Sequence, residues 1–185
     1  YDFSGGLELK AFLDVNKMPP VFICGPTGSG KTTLLISILK QYLFKRRVLI
    51  IEKVAELALL SGCWIRLVAS APDLQTGMQI TVRSALEEGL RMRPDHIVFS
   101  EIRGEEASDL FQAMLSGHGS ILTTLHLTEP SLLSERLKQL KADHCEDLFS
   151  LLKPLVIIMG RGFPKAIVSV YRWLGEGGLE RILLR

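Results

Sequence analysis

One short motif constrains the fold of this chain more than any other feature. The segment from Gly25 to Thr32 reads GPTGSGKT and fits the pattern G-x-x-x-x-G-K-[ST]. It follows an apolar run, Val21–Cys24, that we predict as a buried strand, and it opens the segment 31–44, which has helical length and apolar spacing. A glycine-rich loop in this context wraps closely around an anion and directs backbone N–H groups toward it. The motif therefore predicts an α/β fold with a phosphate site at the carboxyl end of the first strand.

The residue types of the motif indicate a nucleoside triphosphate held with Mg²⁺. The N-terminus of the following helix attracts phosphate, and Lys31 reaches the β and γ phosphates as a mobile positive charge. The Thr32 hydroxyl is the expected Mg²⁺ ligand. A glycine-rich turn without a ligand is the alternative interpretation. The predicted nucleotide-binding residues are Gly25, Pro26, Thr27, Gly28, Ser29, Gly30, Lys31, Thr32 and Thr33.

Strand-like and helix-like segments alternate along most of the chain, which predicts parallel strands joined by helical crossovers. The last three predicted strands, separated by glycine turns, instead favour a small antiparallel appendage over residues 154–185. Because the chain starts at Tyr1 without Met, we expect residues 1–185 to be a single domain of a longer protein. The predicted helices are 7–15, 31–44, 82–92, 105–115, 130–140 and 145–152, and the predicted strands are 21–24, 47–51, 65–69, 96–100, 120–125, 155–159, 166–173 and 179–184.

Composition argues against several classes of function. A net charge of +2 is too small to indicate nucleic acid as the main partner. A nucleic-acid translocase stays an alternative, but it needs a positive channel and stacking aromatics, whereas aromatic residues make up 7% and the one compact basic run is Lys45–Arg47. No apolar stretch reaches the roughly 18–20 residues that span a bilayer. Three separated cysteines without a C-x-x-C pair favour a reducing cytoplasm over a disulfide or zinc framework.

Acidic and histidine residues at strand ends are candidates for the chemistry. Glu101 ends the apolar strand HIVFS, where a carboxylate can orient an attacking water or hold Mg²⁺ through water. Glu52 ends the strand RVLII and Glu56 follows it, so both can assist at the same edge or form a solvated acid pair. His118 and His126 flank the strand SILTTL and are candidates for sensing the γ-phosphate through a hydrogen bond; a structural role is the alternative.

Four ordered blocks resemble the motor domain of the type II/IV secretion ATPases. GPTGSGKTT at 25–33 is similar to the family's Walker A motif, and IEKVAEL at 51–57 is similar to its Asp box. Residues 90–104 resemble its Walker B block, and residues 117–126 resemble its His box. The segment from Leu90 to Met114 is particularly similar to the CpaF/TadA branch, which serves tight-adherence pili.

The resemblance implies a RecA-like domain that hydrolyses Mg-ATP in a hexameric ring. It also implies a cytoplasmic position, peripheral to the inner membrane and docked on a membrane platform protein. By position it makes Glu101 the catalytic acid, followed by Arg103, with Glu52 and Glu56 as Asp-box acids and His118 and His126 as His-box residues.

Several positions depart from the family pattern. Lys53 stands where the Asp box has an acid, Ser70 where an arginine is expected, and Ser100 where a glycine precedes the catalytic acid. The His box also lacks the acid that the CpaF branch has after its first Gly-His pair. Lys53 and Ser70 favour a second hypothesis, in which the chain is a regulatory or scaffold subunit that binds nucleotide and hydrolyses it weakly.

Overall fold

The strands of the chain form one mixed sheet flanked by helices on both faces. The computed structural model describes residue 13 and residues 18–57, 62–104, 106–117, 120–140, 145–162, 166–175 and 178–184. The strands are β1 (Val21–Cys24), β2 (Val48–Glu52), β3 (Trp64–Val68), β4 (His96–Ile102), β5 (Ser120–Leu125), β6 (Leu155–Met159), β7 (Ile167–Gly175) and β8 (Gly178–Leu184). The helices are α1 (Lys31–Tyr42), α2 (Val82–Arg91), α3 (Glu106–Leu115), α4 (Leu133–Gln139), which follows a 3₁₀ turn at Pro130–Leu132, and α5 (Cys145–Leu152).

The sheet has the strand order β3-β2-β4-β5-β1-β6-β7-β8. Strands β1 to β6 pair in parallel, and β6–β7 and β7–β8 pair antiparallel. The expected parallel sheet with helical crossovers is therefore confirmed, as is the antiparallel arrangement of the last two strands. Strand β1, which precedes the glycine-rich loop, lies between β5 and β6.

Strand β6 links the parallel and antiparallel parts of the sheet. The strand at 155–159, expected within the antiparallel appendage, pairs antiparallel with β7 but also in parallel with β1, and all five of its residues are buried. The sequence LVIIM is apolar on both faces, as a central parallel strand requires, because helices or turns cover both sides of it. Strands β7 and β8 then extend the same sheet.

Two hydrophobic cores cover the two faces of the sheet, and alternate residues of each strand enter one or the other. One core contains Phe22 of β1 with Phe111, Phe149 and Trp173, whose rings pack with centroids 5.3–5.6 Å apart. The other core contains the buried face of α1, namely Leu34, Leu35, Ile38 and Leu39. Helix α1 is thereby fixed against the sheet, so its N-terminus stays at the carboxyl end of β1.

The described helices are all too short or too polar to cross a bilayer. The helix predicted at 7–15 lies, apart from the buried Leu13, outside the described residues. The segment predicted as one helix over 130–140 is instead divided into the 3₁₀ turn and α4. The other element bounds differ from the expected ones by a few residues.

Candidate active site

The glycine-rich loop joins β1 to α1 in a conformation that glycine permits. Gly25, Gly28 and Gly30 have φ values of 152°, 74° and 93°, a region that other residues rarely adopt. A Cβ on Gly25 would lie 2.7 Å from both the Met159 carbonyl oxygen and Ser29 Oγ. The Gly25 N–H donates to the Leu125 carbonyl at 3.3 Å, so the start of the loop is also tied to the end of β5.

Lys31, the first residue of α1, is the charged residue of the motif. Its Nζ donates to the carbonyl oxygens of Gly25 and Pro26, both at 3.0 Å, and the residue is 7% exposed. Burial lowers the pKa of the Lys31 ammonium below its ordinary value, and the negative charge of Glu101 partly opposes this effect. The structure thus brings the predicted phosphate-binding lysine within electrostatic reach of the predicted catalytic carboxylate.

Glu101 reaches the site because β4 contains a bulge. Phe99 pairs with Thr123, and Ile102 pairs with Leu125. The pairing thus advances by three residues along β4 but by only two along β5, which defines a bulge in β4. In a regular strand residue 101 would follow Ile97 and Phe99 into the hydrophobic core, but the bulge places Ile102 there instead. The carboxylate of Glu101 is therefore released from the core toward the loop, and the Thr124 hydroxyl supports the bulge by donating to the Ser100 carbonyl at 2.6 Å.

Two side chains lie against the Glu101 carboxylate. Its Oε2 lies 2.5 Å from Arg103 Nη2, and this ion pair raises the pKa of Arg103. Its Oε1 lies 2.7 Å from His126 Nε2, but that contact lacks hydrogen-bond geometry. Oε1 is therefore a buried acceptor without an aligned donor among the described residues.

The residues around the loop fit a phosphate ligand with a divalent cation. Besides Glu101 Oε1, the buried Ser29 Oγ has no hydrogen-bond partner in the described part of the chain, and it lies inside the curve of the loop beside Gly25. Buried polar atoms of this kind normally have a partner, and a phosphate with a hydrated cation would supply one to each oxygen. Thr32 and Thr33 are half-buried in the first turn of α1, and Thr27 is exposed.

Glu52 lies at the same sheet edge but is bound into its own neighbourhood. Its Oε1 accepts the N–H groups of Glu56 and Leu57, both at 2.9 Å, and its Oε2 lies 2.5 Å from Arg66 Nε on β3. Glu52 is 1% exposed, whereas Glu56 is exposed and its charge contributes to raising the pKa of Arg103. These contacts of Glu52 therefore organise the loop after β2. His118 lies outside the described residues.

The sequence also matches a known protein family. A family model described as "Type II/IV secretion system protein" matches residues 6–161. The chain belongs to this family.

Several curated relatives are similar over much of the chain. A putative conjugal transfer protein of Mycobacterium tuberculosis is 38% identical over 120 residues, 65% of this chain and 34% of that protein. The type IV secretion system protein PtlH of Bordetella pertussis is 31% identical over 167 residues, 88% of this chain and 48% of its own length. VirB11 of Agrobacterium fabrum is 34% identical over 126 residues, 66% of this chain and 36% of its own. The chain thus spans between about a third and a half of the curated relatives it matches.

Two solved structures of other proteins have the same fold. The VirB11 ATPase from the Brucella suis type IV secretion system superposes with a TM-score of 0.73 at 27% identity, covering 91% of this chain and 52% of that chain. The pilus retraction motor PilT superposes with a TM-score of 0.60 at 18% identity, covering 95% and 50%, which is a likeness of fold alone. The predicted RecA-like sandwich with a mainly parallel sheet is confirmed.

One acid beside the candidate site, Glu106, was not predicted from the sequence. Glu106, in the first turn of α3, is 5% exposed; it accepts the N–H groups of Arg103 and Gly104 and pairs with Lys53. Burial alone would raise the pKa of Glu106, but the Lys53 hydrogen bond and the backbone donors outweigh it and hold the pKa below its ordinary value. An acid in a first helical turn is a recognisable signal, because it can accept free backbone N–H groups, but its pairing with Lys53 leaves no trace in the local sequence.

Proposed function

We propose that the chain is the motor portion of a Mg-ATP-hydrolysing subunit of a type II/IV secretion machine. The observation that carries this proposal is the meeting of Lys31, Glu101, Arg103 and His126 at the carboxyl ends of β1, β4 and β5. Ligands of open α/β sheets bind at this edge. Membership of the secretion family and similarity to a VirB11 ATPase support ATP as the nucleotide.

Each residue of the site has a role that its position supports. The backbone of Gly25–Gly30, the α1 N-terminus and Lys31 bind the phosphates, and the Thr32 hydroxyl holds Mg²⁺. Bound Mg²⁺ supplies positive charge that neutralises the phosphate oxygens. Arg103 fixes one oxygen of Glu101, so the other, Oε1, accepts a proton from the attacking water or orients that water, with His126 beside it.

Glu52 and Glu56 support the site from the neighbouring loop in this proposal. Glu52 holds the turn that carries Glu56, and Glu56 adds negative charge near Arg103. His118 stays a candidate for contacting the γ-phosphate.

The assembly follows from the relatives rather than from the site itself. PtlH is described as a type IV secretion system protein, and VirB11 of Brucella suis as an ATPase of such a system. We infer that the complete protein forms a ring of identical subunits, a hexamer, on the cytoplasmic face of the inner membrane. Its partner there is a membrane platform protein of a secretion or tight-adherence pilus machine of the CpaF/TadA kind, and nucleic acid is not an expected partner.

The two departures that favoured a weakly hydrolysing subunit have a structural context. Lys53 pairs with the buried Glu106, so its charge is compensated within the chain. Ser70 lines a cleft of about 550 Å³ together with Lys53 and Glu106, and its Oγ accepts the Ile80 N–H at 3.3 Å. The fold therefore accommodates the charge reversal at Lys53, and measured hydrolysis decides between the motor and the regulatory alternative.

Two substitutions separate nucleotide binding from hydrolysis. We expect Lys31→Ala to weaken Mg-ATP binding roughly 100-fold, because it removes charge-assisted hydrogen bonds to phosphate. Glu101→Gln should bind Mg-ATP as well as the wild type and hydrolyse it at least about 100-fold more slowly. Lys40→Ala, on the exposed side of α1, is the matched lysine control.

Equilibrium binding of a fluorescent ATP analogue and phosphate release by the full-length protein measure the two effects. Hydrolysis by Glu101→Gln at the wild-type rate would show that the assigned carboxylate is the wrong one. Nucleotide bound by the wild type without any hydrolysis would instead support the regulatory alternative.

A further inference from the structure

An ion pair joins the segments that follow β2 and β4 at the carboxyl edge of the sheet. Lys53 follows β2 and Glu106 begins α3, and Lys53 Nζ lies 2.8 Å from Glu106 Oε2. The carboxylate side chain is 4% exposed, whereas the lysine side chain is 49% exposed. The loop after β2 therefore supplies a charge to a buried group that belongs to the loop after β4.

The second oxygen of Glu106 holds the backbone directly after the candidate catalytic strand. Its Oε1 accepts the N–H of Arg103 at 2.7 Å and the N–H of Gly104 at 3.0 Å. A Cβ on Gly104 would lie 3.2 Å from Glu106 Oε2, so the backbone approaches the carboxylate closely. The Arg103 guanidinium then reaches Glu101. A continuous set of contacts thus runs from Lys53 through Glu106 and the 103–104 backbone to Glu101.

We propose that Glu106 is a positioning residue for Glu101 and that Lys53 is its charge partner. The loop after β2 then sets the orientation of the carboxylate that activates water. This inference rests on the proposed ATP hydrolysis for its kinetic consequence, although the contacts themselves do not depend on it.

The electrostatics explain why the lysine matters. A buried carboxylate without its cation either takes up a proton or draws water toward it. Either change weakens the two hydrogen bonds that the carboxylate accepts from the backbone, because an ionised acceptor binds N–H groups more strongly than a neutral one. The backbone at Arg103 would then be held less firmly, and the Arg103–Glu101 contact would become less well oriented.

The same geometry predicts that an acid does not suit position 53 in this chain. Asp at that position would direct a second carboxylate toward the buried Glu106 instead of a cation. Lys53→Asp is therefore expected to impair the site, although an acid is what the family's Asp box has at this position.

The test uses the full-length protein with Lys53→Met, which keeps an apolar stem of similar length without the charge. We expect kcat for ATP hydrolysis to fall about tenfold while KM for ATP changes less than about twofold, because the phosphate-binding loop is untouched. Lys53→Arg should retain most of the wild-type kcat, and Lys53→Asp should lose more than Lys53→Met. Lys138→Met is the matched control, since Lys138 pairs with Glu146 at 2.9 Å on the surface.

Hydrogen exchange of peptides that contain the 103 and 104 amides gives a second readout that needs no activity. Faster exchange in Lys53→Met, but not in Lys138→Met, supports the role of the Lys53–Glu106 pair in holding the 103–104 backbone. Lys53→Gln, which keeps a donor without the charge, repeats both measurements if the methionine variant folds poorly.

An unchanged kcat in Lys53→Met, or an effect confined to KM, overturns the proposal. If the wild type hydrolyses no ATP, the proposed function fails by itself, and hydrogen exchange alone tests whether the Lys53–Glu106 pair holds the 103–104 backbone. In that case, equal exchange at residues 103 and 104 in the wild type and in Lys53→Met overturns the positioning role.

Discussion

At the scale of single residues, the tightest steric constraint on the site is the backbone at Gly25. Its φ of 152° and the closeness of the Met159 carbonyl oxygen leave no space for a side chain. The obstacle is backbone on the neighbouring strand β6, which cannot rotate away as a side chain can. The start of the phosphate loop is therefore fixed by three strands together: β1 before it, β5 through Leu125, and β6 through Met159.

We predict that Gly25→Ala weakens Mg-ATP binding by roughly tenfold or more. The added methyl group either displaces Met159 or moves the loop, at a cost of about 1–3 kcal/mol. Affinity is measured by titration with nucleotide, and stability by urea unfolding.

Gly77→Ala is the control for this prediction. Gly77 also has a positive φ, 69°, but nothing lies within 4 Å of its added Cβ and it belongs to the turn before α2. It should lower stability without changing affinity. Equal affinity losses in both variants would show that the effect of Gly25→Ala is general destabilisation.

Sequence patterns that are local predict where some residues of the candidate site lie. The phosphate loop and Glu101 follow from motif and strand pattern, and the structure places them at one edge of the sheet. The bulge that frees Glu101 and the carboxylate of Glu106 were not predicted. A bulge depends on the pairing register of two strands, and the Lys53–Glu106 contact joins residues 53 positions apart in the chain.

At the scale of elements, β4 and β5 are joined differently at their two ends. The carboxyl ends carry the bulge, Glu101 and His126, while the amino ends are joined by His96 and Ser120, whose Nδ1 and Oγ are in close contact. His96 is 3% exposed, and burial lowers its pKa from 6.5 to about 4, with Asp95 opposing that change. In the folded protein the neutral imidazole of His96 therefore joins the amino ends of β4 and β5.

We predict that this histidine makes stability depend on pH. The folded pKa lies below the unfolded value, so between pH 6.5 and about 4 the unfolded chain binds more protons. The stabilisation is fully present above pH 6.5 and is lost as the pH falls toward about 4, with a total of roughly 3 kcal/mol of unfolding free energy.

His96→Asn isolates that contribution from the titration of carboxylates. Asn keeps a polar atom for Ser120 but does not titrate. Urea unfolding at several pH values should show the wild type losing stability faster than the variant as the pH falls. Parallel pH profiles of the two proteins would contradict the assignment to His96.

At the scale of the whole molecule, the sequence predicted the class of fold but not the strand order. Alternating strands and helices require parallel pairing, and that expectation is correct for β1 to β6. The position of β6 beside β1 was missed because an apolar strand near glycine turns looks the same whether its partner is parallel or antiparallel. Which strands become neighbours is decided by the packing of the two cores, and local sequence does not record it.

The candidate site lies in the middle of the sheet, away from its two outer strands. The candidate site occupies the carboxyl edge of β1, β4 and β5, and β3 and β8 form the two outer strands of the sheet. The proposed ring of identical subunits leads us to predict that hydrolysis depends on assembly as well as on Glu101.

Mg-dependent ATP hydrolysis by the full-length protein, measured at increasing protein concentration, tests the central claim most directly. The account predicts a specific activity that rises with concentration, requires Mg²⁺ and falls at least about 100-fold in Glu101→Gln at every concentration. A Glu101→Gln variant as active as the wild type, or a wild type that binds Mg-ATP without hydrolysing it at any concentration, would contradict it.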